Sequence, residues 1–338
     1  MIKNILLGRP FLVVFNLTRR CNSICSMCSI WQTPSKIQDE LSLEEIESIF
    51  KDLKSYGIKH VFLQGGEPLL RKDIIQIIEL LIGLGLNPTL ITNGLLLDKK
   101  IANKIAELKC NVSISLDSLD PKRYKKIRGV DKLPILLENI YYCGKIENKK
   151  GVWHITSTIS KINHDEALDL FYFARNNGFN FNVYPYNYSH CYSSSHDEDL
   201  SYEKDKFLII ESFKKLRNEA LRNNLIFDKI IYDDIIKYLE GDYCMPCDAM
   251  KRSILLTEKG DMSPCLEFKP SLNLKEIRIK DALKKMDYSK VKKCYMETPC
   301  FYGCTRGSGI VIRKIPEILL FGVKHPKILA SYMKAYYF

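Results

Sequence analysis

Phe11-Leu12-Val13-Val14-Phe15-Asn16-Leu17-Thr18-Arg19-Arg20-Cys21-Asn22-Ser23-Ile24-Cys25-Ser26-Met27-Cys28 sets a nearly unbroken apolar run directly against a loop holding three thiols. Such a run reads as a strand buried on both faces, the kind that parallel sheets contain. The thiols are spaced Cys-x3-Cys-x2-Cys, so three of them converge from one short loop. A structural metal site takes four protein ligands. Three leave one position open, and an iron of a [4Fe–4S] cluster there can take a ligand that is not protein. The loop follows a strand's C-terminal end, where parallel barrels build active sites. A zinc loop completed by a distant ligand is the alternative that the spacing leaves open.

Working outward, the chain alternates short apolar runs with amphipathic stretches. Ser42, with Glu45 three residues later, predicts a capping box opening a helix that runs to about Ser55. Further strands are expected over 59–63, 88–92, 112–116, 152–159 and 181–184, with a helix over 74–84. Six β-α units in series predict an α/β fold with a parallel sheet, closed or half-closed as a (β/α)6 TIM-like partial barrel. Residues 1–200 form that core in this reading. Residues 201–240 are a helical linker, 241–308 a small cysteine-rich domain, and 309–338 an apolar, basic tail.

The 338 residues suit about two domains. Apolar residues at 46% and charged residues at 27% exclude wholesale disorder. No stretch approaches the roughly 18 apolar residues of a transmembrane helix. Ile5-Leu6-Leu7 is cut short by Gly8-Arg9-Pro10, so no export signal is expected and the expected location is cytoplasmic. In such a reducing compartment, twelve cysteines point to metal rather than disulfides. Cys110, Cys143 and Cys191 stand alone, and two of these three read as small buried hydrophobes. The net charge is +11, of which +6 lies between Lys292 and Phe338. No ribonucleoprotein motif, finger pair or helix-turn-helix is present, so no nucleic-acid partner is expected.

A second motif, Gln64-Gly65-Gly66-Glu67-Pro68, closes the second strand. Alone, a glycine pair before a carboxylate reads as a tight turn. Together with the three-cysteine loop it resembles the radical S-adenosylmethionine (SAM) family. That resemblance implies a [4Fe–4S] cluster on Cys21, Cys25 and Cys28, whose open iron chelates the amino and carboxylate groups of SAM. Trp31 would pack near the adenine. Gly65 and Gly66 would let backbone approach the methionine amino group, and Glu67 would accept from it. Alternation along the fourth strand turns Ser113, Ser115 and Asp117 to one side. By resemblance Ser115 contacts the SAM carboxylate and Asp117 the ribose hydroxyls, whereas capping a turn is their plainer role. Asn93 and Arg128 are further candidates for contact with SAM.

The second cysteine group reads Cys244-x2-Cys247-x17-Cys265, then Cys294-x5-Cys300-x3-Cys304. Between Cys247 and Cys265 a hairpin is expected to turn at 258–261. The group resembles the SPASM/Twitch extension of radical SAM enzymes, which implies an auxiliary [4Fe–4S] cluster. It departs from the full pattern twice: Val291 replaces one cysteine, and none follows Cys304. One cluster on Cys244, Cys247, Cys265 and Cys304 is therefore expected, with Cys294 and Cys300 in reserve. Tetrahedral zinc is the competing occupant.

The resemblance implies an enzyme that cleaves SAM reductively to a 5′-deoxyadenosyl radical. That radical takes hydrogen from an unidentified substrate, either a peptide or protein side chain or a small metabolite. A reducing electron donor such as flavodoxin or ferredoxin is the implied partner. The molybdopterin-precursor branch is not expected, because its two C-terminal glycines are replaced by Ala335-Tyr336-Tyr337-Phe338. Cys191, in the loop after the sixth strand, is a candidate hydrogen-atom donor, against the plainer reading of an ordinary polar loop. Ile328, Leu329, Tyr332, Met333, Tyr336 and Tyr337 would form one stripe on a helix after Pro326. With its basic neighbours, that helix suits either peripheral contact with a membrane or docking on the barrel. The competing class is a non-catalytic zinc or iron–sulfur adaptor that binds nucleic acid or protein.

Overall fold

Strand β1 (Leu12–Thr18) is buried along its whole length and hydrogen-bonded on both edges. On one side it pairs in parallel with β2 (His60–Gly65), and on the other with β7 (Ser253–Leu256). The coordinates are a computed structural model, and they describe residues 2–187, 197–242, 247–297, 299–327 and 330.

Beyond β2 the sheet continues through β3 (Asn87–Thr92), β4 (Asn111–Ser115), β5 (Trp153–Ile159) and β6 (Asn180–Pro185), all parallel and in chain order. These are the six strands expected from the sequence, and they form the partial (β/α)6 barrel. The helix Leu43–Tyr56 opens on the expected capping box: Glu45 N–H donates to Ser42 Oγ at 3.2 Å, and Ser42 N–H donates to Glu45 Oε2 at 2.9 Å. It buries Ile46, Ile49, Phe50 and Leu53, with the Phe50 ring 5.4 Å from Phe15 of β1. Helix-period apolar residues thus cover one face of the sheet, and β1 is apolar on both faces while β4 to β6 alternate polar and apolar residues.

The helices Lys206–Arg222 and Ile226–Leu239 follow the barrel and pack on each other, Phe213 against Tyr232 at 6.2 Å. The hairpin expected before Cys265 is β7 and β8 (Asp261–Ser263), antiparallel, with Gly260 at φ +89° in its turn. Strand β9 (Leu272–Asn273) extends it. The sheet therefore runs without a break from the barrel into the cysteine-rich segment. Ser253-Ile254-Leu255-Leu256 is buried throughout, and the free edge of β1 supplies its partner. The helices Gly303–Arg313 and Ile315–Lys324 come last. The stripe expected over 328–337 falls outside the described residues except for Ala330, which is not one of its members. Among the described residues, no helix is long and apolar enough to cross a membrane.

Candidate active site

The site is built where the end of β2 is pinched against the cysteine loop. A Cβ on Gly65, at φ +132°, would lie 2.3 Å from Thr18 O, and one on Gly66 would lie 2.1 Å from Arg20 O. Gly66 N–H donates to Thr18 O at 2.7 Å, and Glu67 N–H to Arg20 O at 2.8 Å. The glycine pair is thus required first by the loop's own backbone. The same close packing leaves Gly65 and Gly66 lining the cavity, where their backbone is open to a ligand.

Glu67 departs from expectation. Its carboxylate is fully buried and accepts three hydrogen bonds: Leu69 N–H at 3.0 Å, Thr92 Oγ1 at 2.7 Å and Asn93 N–H at 2.8 Å. Burial pushes its pKa up, against the pull of those donors. It sits behind the site wall and clamps the end of β3 rather than facing a ligand. Asn93 carries the clamp onward. Its amide donates to Asn22 Oδ1 at 2.6 Å and Ser23 Oγ at 3.3 Å, while its Oδ1 accepts from Leu95 N–H. The Asn93 side chain thus ties β3 to the cysteine loop while also lining the cavity.

At the end of β4, Ser115 faces the cavity, whereas Ser113 Oγ lies 2.6 Å from Thr156 Oγ1. Asp117 is fully buried: Oδ1 accepts from Thr158 N–H at 2.7 Å, and Oδ2 stands 2.6 Å from Arg128 Nε. With Oδ1 hydrogen-bonded, Oδ2 in ion-pair contact with Arg128 and no exposed surface, it does not line the cavity. Its role is to hold Arg128. That arginine ends the helix Pro121–Arg128, and Gly129 follows at φ +70°, where a Cβ would come within 2.3 Å of Ile24 O. Ser26 N–H donates to Ile127 O at 3.0 Å, so the cysteine loop rests on this helix end. Arg128 Nη1 consequently lies 3.9 Å from Cys25 Sγ.

Cys21, Cys25 and Cys28 line one cavity of about 200 Å³, together with Trp31, Gly65, Gly66, Asn93, Ser115 and Arg128. Trp31 Nε1 donates to Cys25 O at 3.2 Å, which fixes the indole beside the thiols. Burial pushes the Cys21 thiol up to about 11 and raises Cys28. Three soft sulfur donors next to a guanidinium fit a [4Fe–4S] cluster, whose irons would hold them as thiolates. Among the described residues no three His, Cys, Asp or Glu side chains converge on a single ion. Ligands bound to separate irons of a cluster have no need to. Met27, Ile91 and Gln64 also line the cavity and were not singled out from the sequence. Met27 and Ile91 read there as ordinary core, and the one available signal was their position beside the two motifs.

In the second group, Val291 is buried with Ala249 and Met250, and Cys247 and Cys265 pack against them. Burial raises both thiols; Cys247 also feels Cys294, and Cys265 feels Cys300. The reserve cysteines thus stand in the same neighbourhood as two of the expected ligands. Cys244 and Cys191 lie outside the described residues, as does the Cys304 side chain. Cys110 and Cys143 are buried, with thiols pushed up to about 12, as small hydrophobes would be.

Residues 15–174 match the family model described as the radical SAM superfamily. A GTP 3′,8-cyclase of Nautilia profundicola is 32% identical over 271 residues, covering 77% of this chain and 82% of that protein. Among solved structures, Streptococcus suis SuiB bound to the precursor peptide SuiA superposes with a TM-score of 0.68 at 18% identity, covering 88% of this chain and 71% of that one. Native anSMEcpe with bound AdoMet and the Cp18Cys peptide gives 0.66 at 17% identity, covering 88% of each chain.

Proposed function

The chain belongs to the radical SAM superfamily and is a radical SAM enzyme, and from that premise we propose which of its residues hold the cofactors and what they do. Membership of an enzyme family sets aside the adaptor reading. The cluster and SAM, when bound, supply the electron transfer and the 5′-deoxyadenosyl radical. The residues around them bind, orient and exclude water. Cys21, Cys25 and Cys28 hold the cluster. Arg128 offsets its charge beside Cys25. Trp31, Asn93 and Ser115, with the backbone of Gly65 and Gly66, wall the space for SAM, and Glu67 and Asp117 brace that wall from behind. The observation that carries this reading is the convergence of three thiols, one guanidinium and one indole on a single cavity at the strand ends.

Residues 1–200 are the catalytic core in this reading, and 241–308 carry an auxiliary [4Fe–4S] cluster in which Cys247 and Cys265 take part. An electron donor of the flavodoxin or ferredoxin type and a cytoplasmic location complete it. Leu319, Leu320 and Val323 are 58%, 67% and 81% exposed on the helix Ile315–Lys324, flanked by Lys314 and Lys324, which suits peripheral contact with anionic lipid. Binding to anionic vesicles that disappears at high salt supports that contact; indifference to vesicles at low salt removes it.

The test of the main reading is anaerobic reconstitution with iron and sulfide, followed by SAM and dithionite. 5′-Deoxyadenosine should form, and should not form in a Cys21/Cys25/Cys28 triple alanine variant. Release by that variant would overturn the assignment. GTP, the substrate in the name of the Nautilia relative, is the first addition to try. Faster 5′-deoxyadenosine formation with GTP would place this chain's substrate among nucleotides, and no response would turn the search to peptides.

A further inference from the structure

Arg306 is 3% exposed, inside the cysteine-rich segment. Its guanidinium is boxed by three rings: Phe301 at 4.9 Å, Tyr238 at 5.4 Å and Tyr295 at 5.6 Å from their centroids. Nε donates to Asp234 Oδ2 at 3.0 Å, and Nη1 donates to the Tyr295 hydroxyl. Nη2 is buried and has no hydrogen-bond partner among the described residues. Tyr295 and Phe301 directly follow Cys294 and Cys300, so two cysteines are anchored next to this cation through their neighbours.

The donors around Arg306 are not all satisfied. Asp248, next to Cys247, is buried and meets Arg313 Nη1 at 2.8 and 2.9 Å, with Arg252 Nε 3.7 Å away. Arg252, Arg306 and Arg313 thus gather with the carboxylates Asp234 and Asp248, and Glu267 stands beside Cys265. Arg252 Nε and two Arg313 nitrogens join Arg306 Nη2 as buried donors with no hydrogen-bond partner among the described residues. A buried guanidinium N–H without a partner is costly unless an acceptor answers it. A cluster held by four thiolates is anionic and becomes more so on reduction.

We propose that Arg306 is the charge partner of the auxiliary cluster, donating its Nη2–H toward a cluster sulfur and raising the reduction potential. The inference rests on the auxiliary cluster assigned under the proposed function. Hydrogen bonds to sulfur and local charge are principal levers on such potentials, and residues just outside the ligand set commonly supply them. The aromatic box fixes the guanidinium and keeps water from screening it. Asp234 sets how much of its charge remains for the cluster.

The test uses redox-poised EPR on protein whose Cys21, Cys25 and Cys28 are alanine, so that only the auxiliary signal remains. Arg306→Gln should move its midpoint to lower potential with iron content unchanged. Arg306→Lys should recover part of the shift. Asp234→Asn, which leaves the guanidinium unanswered, should move it the other way, and this variant decides the matter if Arg306→Gln does not fold. A retained cluster whose midpoint ignores both substitutions would overturn the role of Arg306 alone. A triple alanine parent with no iron would overturn the auxiliary cluster itself, and this inference with it.

Discussion

Arg128 bridges two groups of opposite demand: its Nε stands 2.6 Å from Asp117 Oδ2, and its Nη1 3.9 Å from Cys25 Sγ. The carboxylate that the strand-end pattern offers as a ribose ligand is instead the counter-ion of the cation beside the cluster loop. Asp117→Asn keeps the shape and removes the charge, leaving a mostly buried guanidinium unpaired. Removing one partner of a buried pair is destabilising by about 3–5 kcal/mol. Urea unfolding should show that loss, together with slower 5′-deoxyadenosine formation. An Asn variant as stable as the parent would mean that Asp117 does not hold Arg128.

The strands were readable because each is a short local pattern, a continuous apolar run in β1 and an alternation of polar and apolar residues in β4 to β6. The first helix was equally plain, since Ser42 and Glu45 cap it from within four residues. The pairing of β7 with β1 was not, because nothing local in Ser253–Leu256 says which distant edge it joins. The same limit explains the site. Motif and position single out Cys21, Cys25, Cys28, Trp31 and Arg128, and the structure gathers them around one cavity. Glu67 and Asp117 lie behind the cavity instead, because a sequence shows polar groups at strand ends without showing which are already engaged by Leu69, Thr92 or Thr158.

Gly66→Ala should disable the site without touching a thiol. The new Cβ would lie 2.1 Å from Arg20 O, a backbone atom, so the cysteine loop must move. A displacement near 1 Å can lower a rate by about 100-fold. The expected result is a loss of roughly that size in SAM cleavage, with the auxiliary iron kept. Parental activity would show that the pinch between β2 and the loop is dispensable.

Iron content separates the two cysteine groups. Two [4Fe–4S] clusters predict about eight irons per chain, and a Cys21/Cys25/Cys28 triple alanine variant should hold about four. Circular dichroism should be unchanged, because these thiols form a cofactor socket and lie outside the barrel core. About twelve irons in the parent would mean that Cys294 and Cys300 help to anchor a third cluster.

Acid should weaken the fold through its buried histidines. Burial pushes His154 down from 6.5 to about 4, and burial with the Lys59 charge does the same to His60. Between those values the unfolded chain binds a proton that the folded chain refuses, so stability falls as the pH drops below about 6.5 and levels off near 4. Above 6.5 both states are neutral there and neither histidine contributes a slope. Each contributes at most about 1.4 kcal/mol per pH unit within the window. Glu67, Asp248 and Glu258 work in the opposite sense, because burial raises their pKa values and the folded state takes up their protons first. Total slope is therefore a poor test, and a difference is a good one. His154→Gln removes one titrating group from β5 while leaving those carboxyls in place. Urea unfolding at pH 7 and pH 5 should show a smaller loss of stability in the variant than in the parent, by roughly 1–2 kcal/mol. Equal losses in the two proteins would mean that His154 is protonated in the fold at pH 5, against the burial that surrounds it.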